Sequence, residues 1–136
     1  MKRALLLTVS AGAFAAALAA AKPASAHHSF AAEFDANQPV KLKGTVTRIE
    51  WMNPHAYFYI DVKDASGKVT SWGLEMGSPN GLMRQGWTRN SLKVGDEVTV
   101  DGSMAKDGSK IANARTVTLA GGTRLFAASS QPTPTQ

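Results

Sequence analysis

Between Val40 and Leu119 apolar and polar residues alternate in short runs, and each run predicts a strand. In Val40-Lys41-Leu42-Lys43-Gly44-Thr45-Val46 the apolar side chains share one face and Lys41, Lys43 and Thr45 the other, as in a half-buried strand. The phase then slips. Ile49 and Trp51 are odd-numbered where Leu42 and Val46 are even, and a bulge near Thr47-Arg48 accounts for the change. Asn53-Pro54 predicts a turn. The second strand, at about 56–63, sets Ala56, Phe58, Ile60 and Val62 against Tyr57, Tyr59, Asp61 and Lys63. Asp64-Ala65-Ser66-Gly67 predicts a hairpin loop with Gly at a position of positive φ. A third strand, 69–76, groups Trp72, Leu74 and Met76.

Ser78-Pro79-Asn80-Gly81-Leu82-Met83-Arg84-Gln85-Gly86 breaks the alternation. A cap at Ser78, Pro79 at the first helical position and Gly86 beyond the end predict a helix of barely two turns. A fourth strand, 97–103, turns Val98 and Val100 inward. Asp107-Gly108 reverses the chain, and a fifth strand covers about 111–119. The resulting expectation is an all-β domain with one small helix, in the strand order β-β-β-α-β-β. That is the order of a five-stranded OB-fold-like barrel, with an all-β sandwich as the alternative. Residues 40–126 form this domain. Residues 27–39 precede it as an N-terminal arm, and the Ser-, Pro-, Thr- and Gln-rich residues 127–136 form a disordered tail.

The first 26 residues have another pattern. Lys2 and Arg3, an apolar, alanine-rich stretch to Ala21, and the cleavage box Ala24-Ser25-Ala26 predict a secretory signal peptide. The mature protein would be periplasmic or secreted and would start at His27. Charge then reads differently. Three of the fifteen Lys and Arg leave with the signal while all ten Asp and Glu stay, so twelve against ten give +2 rather than +5. No long basic run remains, which argues against a nucleic-acid partner. No later segment has the roughly 20 apolar residues of a membrane span. The chain has no cysteine, so disulfides, thiol redox chemistry and thiolate metal sites are excluded.

Ala26-His27-His28-Ser29-Phe30, Asn53-Pro54-His55-Ala56, Trp72 with Glu75, and Gly86-Trp87 through Leu92-Lys93-Val94-Gly95-Asp96-Glu97-Val98 together resemble a family of small exported bacterial proteins known as a domain of unknown function. The resemblance covers nearly all of residues 26–120. It implies an exported β-barrel domain and carries no catalytic residue over.

All three histidines lie in those motifs. An N-terminal histidine chelates through its α-amine and its imidazole Nδ1, and the amine's pKa near ~8 leaves a useful neutral fraction. With a third nitrogen from His55 or His28, His27 would form a three-nitrogen site resembling the histidine brace of copper-dependent polysaccharide oxygenases and of some exported copper carriers. Copper favours such donors among the divalent first-row metals. Phe30 and Phe34 would anchor the arm so that His27 approaches His55. The plainer reading leaves His27 and His28 solvated and bonds His55 to its own turn.

A second constellation is aromatic. Tyr57 and Tyr59, with Trp51 nearby, offer a surface for a peptide, glycan or envelope protein through stacking, or else form ordinary cross-strand pairs. Glu50 and Glu75 would be an acid/base pair only if the sheet brought them together. No nucleophile motif or phosphate loop appears, so an enzyme is the less favoured class. The expectation is an exported copper-binding protein acting in carriage, buffering or delivery. The alternative is a metal-free binding module using the Tyr57/Tyr59 face.

Overall fold

The structure, a computed structural model, describes residues 30–128. The predicted signal peptide (residues 1–26), His27, His28 and residues 129–136 lie outside the described residues. Strands dominate, in the chain order α1 (Phe30–Glu33), β1 (Phe34–Glu50), β2 (Tyr57–Lys63), β3 (Val69–Glu75), α2 (Pro79–Arg84), β4 (Glu97–Ala105), β5 (Ile111–Thr118) and β6 (Arg124–Phe126). The six strands of the described residues lie in one sheet, β3-β2-β1-β4-β5-β6, in which adjacent strands pair antiparallel. A short parallel pairing of β3 with β5, Gly73 to Ile111 through Glu75 to Asn113, closes β1 to β5 into a ring of five strands.

This order adds two elements to the β-β-β-α-β-β expectation: α1 before the first strand and β6 after the fifth. The predicted arm is structured from Phe30 onward. Phe34 pairs with Ala105 and is buried, and its ring lies 5.7 Å from that of Phe30. Strand β1 therefore starts six residues earlier than Val40, with a register irregularity between Phe34 and Pro39. Asp35, Asn37 and Pro39 signal a loop locally, but pairing with β4 and burial of Phe34 outweigh that preference. The predicted tail also starts too early. Ala127 is buried, its amide bonds the Arg115 carbonyl and its carbonyl accepts from Gly77.

Elsewhere the alternation locates the core. Leu42, Val46, Phe58, Ile60, Leu74, Val98, Val100 and Val117 fill the ring from successive strands. The register of β1 against β2 jumps between Val46 and Arg48, so the extra residue, Thr47, re-phases Ile49 toward Phe58. Two β4–β5 backbones approach so closely at Gly102 that a Cβ there would lie 2.1 Å from the Asn113 carbonyl oxygen. Only glycine fits. The Ser78 hydroxyl caps α2 by accepting from the Gly81 amide at 3.2 Å, and Gly86 leaves the helix at a φ of 94°. Trp87 Nε1 donates to the Phe126 carbonyl at 2.7 Å and ties β6 to the segment after α2.

Candidate functional site

The row of partners Glu50–Tyr57–Glu75 runs across β1, β2 and β3 on one face of the sheet. Glu50 and Glu75 thus do not meet: Tyr57 stands between them. Its hydroxyl donates to Glu75 Oε2 at 2.5 Å, whereas Glu50 Oε2 accepts from Tyr59 at 3.3 Å and its Oε1 pairs with Arg48 at 3.2 Å. The Arg48 guanidinium also sits 3.9 Å over the Tyr59 ring. Both tyrosines are half-buried and already engaged. Trp51 faces elsewhere, among Ile49, Met76, Trp87 and Leu92, so the three aromatics do not form one stacking platform.

His55 follows the cis Asn53-Pro54 peptide and precedes β2. Its Nδ1 lies 3.0 Å from the Met76 carbonyl oxygen and 3.3 Å from Glu75 Oε1. Backbone pairing holds this geometry, since Ala56 and Met76 bond each other's segment through Ala56 N to Gly77 O and Met76 N to Ala56 O. A carbonyl oxygen can only accept, so Nδ1 carries the hydrogen. In the neutral ring the unprotonated nitrogen is then Nε2. The His55 side chain keeps 30% of its surface exposed, and Glu75 keeps only 8% as a residue.

Burial raises the Tyr57 hydroxyl pKa well above the ordinary tyrosine value, with its hydrogen bond to Glu75 as the second cause and the charge of nearby Glu33 as a smaller one. The sign follows directly. A group that holds its proton more tightly when folded contributes stability that is complete below the unfolded value near 10 and is lost as pH rises above it. We expect Tyr57 to ionise later than Tyr57 in the unfolded chain, and Tyr57→Phe to flatten the loss of stability at alkaline pH. Phenolate absorbance and denaturation midpoints across that range would check this. An equally steep loss in the variant would assign the effect elsewhere.

Beside Tyr57 opens a cleft of about 380 Å³. Its apolar wall comes from Ala32, Phe34, Ala105 and Ile111, and its polar lining from Tyr57, Glu75, Glu33, Lys106, Asp107 and Ser109. Helix α1 forms one rim. Lys106 fastens that rim through its amide to the Glu33 carbonyl at 2.9 Å and its ammonium to the Ala31 carbonyl at 2.5 Å. The cleft was hidden from sequence because it depends on α1 lying beside the start of β5. The Tyr57–Glu75 pair had a signal: the Asp64–Gly67 loop fixes the hairpin register that places these two residues opposite each other.

Among the described residues no group of three or more His, Asp or Glu side chains converges as a metal-binding cluster. His55 and Glu75 lie side by side, and the other two predicted ligands, His27 and His28, lie outside the described residues. No helix among the described residues is long and apolar enough to cross a membrane.

Residues 15–114 match a family of unknown function, DUF6152, and the chain belongs to that family. No curated protein matches it. Among solved structures it is similar to the ZRD-deleted mutant of TiaS in complex with agmatine, at 20% identity and a TM-score of 0.42. That likeness covers 72% of this chain, which spans only 24% of the TiaS chain.

Proposed function

We propose that this is an exported copper-binding protein that carries, buffers or delivers the ion through His27, His55 and His28. The observation that supports it most is the orientation of His55. Its Nδ1–H is spent on the Met76 carbonyl and faces the Glu75 carboxylate, which leaves Nε2 as the donor nitrogen. Histidine ligands are commonly held this way, through a carbonyl or carboxylate on the other ring nitrogen. The position of α1 is compatible with such a site. Its Glu33 lines one cleft with Glu75, the carboxylate that His55 touches. His27 is three peptide units from Phe30, a reach of about 11 Å at most. We read the ring of five strands, with α2 between the third and fourth, as an OB-like barrel whose end carries the site.

Export is part of the proposal, because only cleavage after Ala26 frees the His27 amine. Intact mass of periplasmic protein is expected to give a start at His27. That protein should bind Cu(II) one to one, and a single added residue before His27 should weaken binding by about a hundredfold or more, as loss of one chelate donor implies. A start at another residue, or equal affinity with and without the extension, would refute the terminal chelate.

The cleft beside Tyr57 favours a second reading, a metal-free periplasmic binding module. A peptide, glycan or envelope protein would then use the Tyr57 side of the sheet, and copper affinity would be weak and indifferent to the terminus.

A further inference from the structure

We propose that the cleft between α1 and the β4–β5 turn binds a primary ammonium carried on a short apolar chain. The inference refines the binding-module reading and does not depend on the copper site. It starts from Glu75. This carboxylate is nine-tenths buried, yet its partners are a neutral donor, Tyr57, and one ring nitrogen of His55 that is shared with the Met76 carbonyl. A hydroxyl offers a hydrogen bond but no compensating charge, and buried charges are ordinarily matched by an opposite one. The Lys106 ammonium, on the same lining, is bound to the Ala31 carbonyl.

The rest of the cleft fits the same ligand. Asp107 adds negative charge at the rim, where Glu33 also lines the cleft. The Ser109 hydroxyl lies beside Asp107, and its hydrogen bond helps hold that carboxyl below the usual carboxylate range. It is a second polar point on the cleft lining. Between these points Phe34, Ala105 and Ile111 present the apolar wall along which an alkyl chain would lie. The volume, about 380 Å³, is at the small end of the range for ligand pockets. An ammonium has three N–H donors and no acceptor, which suits a lining rich in oxygen acceptors. An anionic ligand would meet the same carboxylates at a cost.

The probe is n-butylammonium, titrated into the full mature chain with a chelator present and with one residue added before His27. Those two conditions silence the proposed copper site, so failure of either proposal is distinguishable from failure of the other. Backbone NMR shifts are expected to saturate at Ala32, Ala105 and Ile111 with butylammonium and to stay unchanged with n-butanol or butyrate. Acetyl-lysine-amide in parallel tells whether a lysine side chain enters as well as a free amine. Glu75→Gln keeps the shape and the acceptor for Tyr57 while removing the charge, and should weaken butylammonium about tenfold or more. Ser109→Ala should weaken it less. Shifts that do not saturate, that fall outside the cleft, or that butanol reproduces would overturn the proposal. So would a folded Glu75→Gln protein of unchanged affinity. Should that variant not fold, the wild-type comparison of the three probes decides alone.

Discussion

Phe58→Ala is expected to cost about 3–5 kcal/mol of folding stability, enough to unfold a large share of a domain of ordinary stability. The side chain is fully buried at the middle of the ring, opposite Ile49 on one neighbouring strand and Leu74 on the other. Its removal leaves a void that strands on both sides hold open, since backbone pairing fixes their separation. The cost then includes lost contacts as well as lost transfer energy. Val94→Ala is the matched comparison. Val94 keeps 67% of its surface in solvent, and its truncation should change stability by about 0.5 kcal/mol or less. Urea denaturation of both variants, with equal slopes, would give the two values. A Phe58→Ala loss near that of Val94→Ala would mean that the two faces of β2 are assigned the wrong way round.

That assignment was legible in sequence because it follows from a period of two and needs no partner. The Val46-to-Ile49 slip, the Gly67 turn and the Ser78–Pro79 helix start were legible for a similar reason: each is decided by residues within a few positions of one another. The ends of the domain were not. Asp35-Ala36-Asn37-Gln38-Pro39 has little strand propensity, and it is extended because Phe34 buries against β4 far along the chain. Strand β6 has only three residues, and the bond that pins it comes from Trp87, thirty-nine positions away from Phe126. The site divides along the same line. His55 stood out as a residue type in a motif, and its bond to the Met76 carbonyl requires knowing how the turn before β2 packs on the end of β3. Tyr57 stood out as an aromatic surface residue. Its engagement by Glu75 changes it from an open stacking ring into the donor that orders a buried carboxylate.

The same carboxylate separates the ligands of the proposed copper site from their supports. His55→Ala removes the Nε2 donor and should lower Cu(II) affinity by more than about a hundredfold in protein with an authentic His27 terminus. Glu75→Gln leaves all three imidazoles and the α-amine in place. The Met76 carbonyl still accepts from Nδ1, so the ring keeps its tautomer and loses only the facing negative charge. A loss near tenfold is expected, the lower end of the effect of a supporting partner. His28→Ala should fall between wild type and Glu75→Gln if His55 closes the three-nitrogen set; if His28 closes it, His28→Ala should show the hundredfold loss and His55→Ala should not. Calorimetry gives the affinities, and electron paramagnetic resonance counts the nitrogens bound to Cu(II). The spectrum matters because a merely structural histidine would alter affinity through misfolding without removing one nitrogen from a folded, copper-loaded protein. An unchanged spectrum and unchanged affinity in His55→Ala would return His55 to the role of a turn residue bonded to Met76. The binding-module reading, with its ligand at the Tyr57 cleft, would then account better for the His55–Glu75–Tyr57 contacts.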